Sequence, residues 1–181
     1  MPLSTPNLYY YYISCTNPFA LPERNKMFGA ISEEREVSVP AGEAWKIYGT
    51  LRLAKIVGEA LPNLIEKIEV VEGDGGAGTV IKLCFPPGAG LGDYKEKFTV
   101  VDDEKRVKET EVVEGGYLDI GFSLYRVRFE VIEKEGNSSS CITKSTIEYE
   151  VKEEFAANAS YVSIQPLVNI MEVAANCLVG S

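Results

Sequence analysis

Tyr125-Arg126-Val127-Arg128-Phe129-Glu130-Val131 alternates apolar and charged residues at every step. In an extended chain successive side chains point to opposite faces, so Tyr125, Val127, Phe129 and Val131 form one apolar row while Arg126, Arg128 and Glu130 stand on the other side. The alternation predicts a strand over about 119–133, one face buried and one wet. Gly136-Asn137-Ser138 is turn chemistry, and a second strand pattern follows over about 141–151. Two such strands joined by a short turn make an antiparallel hairpin, from which the rest of the chain is read outward.

Upstream, strand patterns recur at about 65–72, 78–85, 93–102 and 106–114. Between them lie Gly73-Asp74-Gly75-Gly76, Pro86-Pro87-Gly88, Asp102-Asp103-Glu104 and Glu114-Gly115-Gly116. Consecutive strands with short connections predict an antiparallel meander. Earlier still, Glu34, Glu36 and Ser38 alternate with Arg35, Val37 and Val39 in a half-exposed strand that Pro40 stops. Helices are expected over Glu43–Thr50 and Leu51–Ala60. At the other end Phe155, Ala159, Val162, Pro166, Ile170, Ala174 and Cys177 recur at helical spacing, with Leu167, Met171 and Leu178 widening the stripe. That spacing predicts one long helix kinked at Pro166, since an interior proline loses a backbone hydrogen bond. The fold class is therefore α+β: a seven-stranded antiparallel sheet curled around a long C-terminal helix, with two short helices and enclosed space between sheet and helix.

Residues 1–28 have a different texture, with Pro2, Pro6, Pro18 and Pro22 and an aromatic run Tyr9–Tyr12. They are expected to be an N-terminal arm or leader that the fold can lose, Met27 being an alternative start, and 29–181 the ligand-cavity domain. The run lacks the positive n-region and longer apolar core of a secretory signal, so a cytoplasmic protein is expected.

Composition removes whole classes of chemistry. The 181 residues contain no histidine, which excludes Ser-His-Asp and Cys-His triads and His-liganded zinc. With 18 Lys+Arg against 27 Asp+Glu the net charge is −9, a poor match for nucleic acid phosphates. Cys15, Cys84, Cys141 and Cys177 are scattered without a CxxC pair, so reduced thiols are expected. No stretch approaches the roughly 20 apolar residues of a membrane span. Neither a metal nor a cofactor is expected, and a monomer or weak dimer is.

Glu72-Gly73-Asp74-Gly75-Gly76-Ala77-Gly78-Thr79 lacks the Gly-Lys-[Ser/Thr] of a phosphate loop and leads into a strand, so it reads as a tight hairpin. In Tyr94-Lys95-Glu96-Lys97-Phe98, Tyr94, Glu96, Phe98 and Val100 share one face, and its apolar members mark it as the inner one. Glu96 is then an interior carboxyl, where desolvation raises its pKa toward the useful range of a general acid or base. On the next strand Lys108, Thr110 and Val112 oppose Val107, Glu109, Glu111 and Val113, and alternation alone leaves open which set points inward. The Asn137 and Asn158 sequons read as chance occurrences.

Glu69–Thr79, Phe85-Pro86-Pro87-Gly88, Tyr94–Phe98, Glu114-Gly115-Gly116-Tyr117-Leu118 and Lys144–Tyr149 occur in the order and spacing of a known family. Over about 29–178 the chain resembles the plant norcoclaurine synthases of the pathogenesis-related class 10 and birch-pollen-allergen superfamily. The resemblance implies a helix-grip fold and a cofactor-free Pictet–Spengler condensation of dopamine with 4-hydroxyphenylacetaldehyde. It implies that Tyr94 orients substrate at the cavity mouth, that Glu96 removes the ring proton, and that Lys108 points inward and engages a catechol oxygen. Phe98, Tyr125, Phe129, Leu83 and Met171 are the expected substrate-binding wall, together with Val127. Val127 falls where the family carries a cavity aspartate, and a valine holds no charge. Two rival functions share the cavity: a carrier of hydrophobic plant metabolites or hormones, in which Glu96 and Lys108 form a buried ion pair, and an isomerase or cyclase acting on a preformed alkaloid.

Overall fold

The computed structural model describes residues 26–88 and 90–180, so the expectations for residues 1–25 lie outside the described residues. Its strands are β1 (Lys26–Val37), β2 (Lys67–Glu72), β3 (Val80–Cys84), β4 (Tyr94–Asp102), β5 (Val107–Gly115), β6 (Phe122–Lys134) and β7 (Asn137–Lys152). Helices α1 (Ala41–Tyr48) and α2 (Arg52–Ala60) follow β1, and α3 (Gln165–Val179) closes the chain. The order β1-β7-β6-β5-β4-β3-β2, antiparallel throughout, is the expected meander with β1 returned to the far edge beside β7.

The β6–β7 hairpin that anchors the reading is longer than the alternation suggests. Lys134 pairs with Asn137, so the turn is Glu135-Gly136, with Gly136 at a positive φ of 74°. β1 likewise begins at Lys26 and takes in Met27 and Phe28, because β7 offers partners as far as Lys152. Facing Tyr149, Gly29 leaves room for a ring that any Cβ would strike at 2.2 Å. Inner-face side chains Phe98, Val131, Ile147 and Val151 are almost wholly buried and join Ile47 and Tyr48 of α1 in one core. On the outer face Arg126 pairs with Glu111 at 2.6 Å and Glu148 at 3.1 Å, and Arg128 with Glu130 at 3.1 Å. Such part-exposed pairs satisfy the charges and add little stability.

Three expectations are corrected. The C-terminal stretch is two elements: a 3-10 segment, Glu153–Tyr161, breaks at the extended Val162 before α3 begins. Pro166 sits in the first turn of α3, where its missing N–H costs nothing, so it starts the helix instead of kinking it. Second, a β-bulge between Phe98 and Val100 interrupts the alternation of β4. Beyond it Val101, two-to-one out of phase with Phe98, packs on the core where Val100 was expected. Third, Glu153–Val179 does contain a window apolar enough and long enough for a membrane span, which a search for an unbroken apolar run misses. In the fold, Leu167, Ile170, Met171, Ala174 and Ala175 of that stretch are buried.

Candidate active site

A cavity of about 370 Å³ lies between the inner face of the sheet, α2 and α3. β4 points Tyr94, Glu96 and Phe98 into it, since residues two apart share a face. β5 contributes Lys108 and Thr110, and β6 contributes Tyr125, Val127 and Phe129. Leu83 of β3 lines the floor, with Leu53 and Val57 of α2 and Leu167 and Ile170 of α3 opposite. Leu64 and Leu91 from two separate connections and Tyr161 from the end of the 3-10 segment line the cavity as well.

Met171, expected on this wall, is buried but is not among the lining residues. It lies about 100° around α3 from Ile170, and that turn carries it off the cavity face into the packing beneath. The sequence stripe was broader than the face that meets the cavity.

Two ionisable groups share the apolar chamber. Glu96 is 8% exposed, and burial raises its carboxyl above the ordinary range, with the Thr110 hydroxyl, the Lys108 charge and the Tyr94 phenol offsetting only part of the rise. The Thr110 Oγ1 lies beside that carboxyl without an aligned hydrogen bond of its own. Lys108 is 3% exposed, and burial lowers its ammonium to about 8 against the upward pull of Glu96. Its Nζ stands 3.9 Å over the centre of the Phe98 ring and donates to the Thr50 carbonyl just past α1 at 3.3 Å. Lys108 and Glu96 are not an ion pair: no carboxylate oxygen of the described residues lies within 4.0 Å of Nζ, which removes the pairing expected for a carrier. What the arrangement offers chemically is a weakened acid and a weakened base in one largely apolar cavity.

Sequence reasoning gave Tyr117 no role, although its Gly-Gly-Tyr-Leu motif was visible. Gly115 and Gly116 take positive φ of 76° and 53°, turning the chain into a 3-10 segment, Gly116–Ile120. Tyr117 thereby stacks on Tyr125 at 3.6 Å between ring centres, and Tyr94 lies 6.3 Å from it. Burial raises the phenols of Tyr94, Tyr117 and Tyr125, so all three are neutral hydrogen-bonding groups at neutral pH. Leu53, Val57 and Tyr161 were missed because nothing local marks a residue as facing a cavity built by distant strands.

Gly116 sets the Tyr94 ring. A Cβ there would meet Tyr94 at 2.7 Å, in a backbone region that L-residues resist. Gly116→Ala is expected to cost roughly 1–3 kcal/mol in denaturant unfolding and to displace the ring. Unchanged stability would show that neither contact constrains the turn.

Comparison with known proteins points the same way. The model of the pathogenesis-related protein Bet v 1 family matches residues 28–176. The chain is 51% identical over 145 residues to norbelladine synthase of Narcissus pseudonarcissus, covering 80% of this chain and 88% of that one. It is 41% identical over 145 residues to S-norcoclaurine synthase 2 of Papaver somniferum, covering 79% of this chain but only 62% of that protein's length. The structure of norcoclaurine synthase from Thalictrum flavum in complex with dopamine and hydroxybenzaldehyde superposes with a TM-score of 0.79 at 33% identity, covering 94% of this chain and 97% of that one.

Proposed function

The chain belongs to the pathogenesis-related protein Bet v 1 family, and from that premise we propose that it condenses an aromatic ethylamine with an aromatic aldehyde in a Pictet–Spengler-type reaction, dopamine and 4-hydroxyphenylacetaldehyde being the reference pair. The observation that carries the reading is the co-burial of Glu96 and Lys108, unpaired, in an aromatic-lined cavity. The amine and aldehyde lose water to form an iminium. The electron-rich ring then attacks the iminium carbon, and loss of the ring proton restores aromaticity. Glu96 is the base for that last step, its raised pKa bringing it closer to the acidity of the proton it takes. Tyr94, in hydrogen-bonding reach of Glu96, orients the ring at the mouth. Lys108 shares or removes a catechol proton, and the oxygen so exposed pushes electrons into the ring.

The test is enantiomer-resolved turnover. Purified protein is given dopamine with 4-hydroxyphenylacetaldehyde and, separately, with hydroxybenzaldehyde, and products are separated on a chiral phase. One enantiomer in excess is the expected result from the first pair. Racemic product at the rate of buffer alone, from every pair tried, would overturn the reading.

Val127 favours a second reading, a carrier of hydrophobic metabolites, because it lines the cavity with an apolar surface. In the ladder it sits opposite Thr110 and Ile147, on the strand next to Lys108. Val127→Asp is expected to raise turnover of dopamine several-fold by holding its ammonium, at a cost in stability for burying the carboxylate. A folded variant with no gain would assign the native chain to a different amine.

A further inference from the structure

We infer that Lys108 is a covalent catalyst: its amine forms a Schiff base with the aldehyde and passes the carbon to the incoming substrate amine by transimination. This rests on the amine–aldehyde condensation proposed above and names how that condensation begins.

The geometry is unusual for a structural lysine. Lysines are almost never fully buried unless paired. On the surface of this protein Lys82, Lys95 and Lys144 each hold a carboxylate. Lys108 is buried without one among the described residues, its ladder neighbours are Val101 and Phe129, and its Nζ rests on Phe98 beside the cavity. The position two residues along β6 from Phe129, where an acid could have paired with it, is Val127. Such a setting desolvates an amine with only Glu96, farther than 4.0 Å from Nζ, as counter-charge, which is the way proteins make a lysine nucleophilic.

The protonation balance agrees. The Glu96 charge favours the ammonium, yet burial outweighs it and brings Lys108 to about 8. At pH 7 roughly a tenth of it is free amine, against fewer than about one in 10³ for an exposed lysine. The free Nζ attacks the aldehyde carbon, forming a C–N bond and a carbinolamine. Glu96, in its protonated form, gives a proton to the hydroxyl, which leaves as water while the nitrogen lone pair closes the C=N bond. The substrate amine then adds to that carbon, the C–Nζ bond breaks, and Lys108 leaves as free amine. The substrate iminium remains, and the sum is aldehyde plus amine plus the Glu96 proton to iminium plus water, with Glu96 left as the carboxylate and no oxidation. Once released, Lys108 is available to the catechol oxygen.

The experiment treats the full chain with 4-hydroxybenzaldehyde and sodium cyanoborohydride, with peptide mapping by mass spectrometry. The expected result is a secondary amine on Lys108, heavier by the aldehyde less its oxygen and favoured over any surface lysine by on the order of 10² at pH 7. Dopamine in excess should prevent it. Its formation rate should climb no further above about pH 8, where free Nζ stops limiting while Glu96 loses the proton it donates; Glu96 on β4 is the charged group that acts on Nζ while β6 presents Tyr125, Val127 and Phe129. Lys108→Arg, which keeps the charge and forms no imine, should lose the adduct and at least tenfold of turnover. An adduct spread over exposed lysines but absent from Lys108 overturns the inference, as does a rate still rising at pH 10 or full turnover in Lys108→Arg. Should that variant fail to fold, the wild-type map and pH profile decide. Turnover without the adduct would sink the Schiff base and leave the condensation standing; the adduct without turnover on any amine would do the reverse.

Discussion

Glu96→Gln should lower kcat for the condensation by roughly 10² or more while leaving ligand affinity within a few-fold. The amide matches the carboxyl in shape and can still accept from Tyr94, so the cavity keeps its form. What it loses is the ability to take a proton. In the native protein burial raises the carboxyl, and three neighbours hold back part of that rise: the Thr110 hydroxyl, the Lys108 charge and the Tyr94 phenol. A base so placed is needed when the ring proton departs and contributes nothing to holding a hydrophobic ligand. Enantiomer-resolved rates and ligand titration on the same preparation separate the two. Turnover within about threefold of the native protein's would show that another group takes the proton; an affinity change with no stereoselective rate to lose would mark the protein as a carrier.

Lys108→Met should do two opposite things. It should cut kcat by on the order of 10², since the cavity loses its amine. It should also stabilise the fold at neutral pH, and the sign follows from the direction of the shift. Burial depresses Lys108 from 10.5 in the unfolded chain to about 8 in the native one. Between those values the unfolded state binds the extra proton, so native stability rises with pH across the window. Below about pH 8 the whole penalty applies, of order 3 kcal/mol at 1.36 kcal/mol per unit. Above about 10.5 both states are neutral and it vanishes. Methionine fills a similar volume without the charge. The variant should therefore unfold at higher denaturant than the native protein at pH 7, with the gap closing between pH 8 and 10.5. A variant less stable at pH 7, or a gap independent of pH, would mean that Phe98 and the Thr50 carbonyl compensate the buried charge.

The gain and the loss belong together. A protein that needed Lys108 only for packing would be better served by an apolar residue, and its retention at a cost to stability is what a functional role looks like physically. Val127 is the counterpart on β6: it presents an apolar wall to the cavity on the strand beside Lys108.

Much of the architecture was legible in the chain because strand faces are a local property. The row Tyr125, Val127, Phe129, Val131 and the placement of Glu96 beside Phe98 follow from a period of two, and pairing partners follow from short turns. Lys108 was different. Its neighbour Val107 is also buried, so neither polarity nor alternation could say which of the two sets faced the cavity until β4 and β6 were seen on either side of β5. The bulge after Phe98 shifted Val101 into the core, a change of phase that no periodic pattern announces. Pro166 carried the right chemistry for a helix start, but only the break at Val162 revealed that a helix starts there. Met171 fell on the apolar stripe yet off the cavity wall, because which arc of a helix meets open space depends on how it docks against a sheet made of residues far away in sequence. The sequence by itself determined the seven strands, the inward row of β6 and the inward acid at Glu96. The separation of Lys108 from the carboxylates of the described residues, and the burial that shifts both groups, were decided by tertiary structure, since desolvation comes from the closure of α2 and α3 over the sheet and not from any residue's neighbours along the chain.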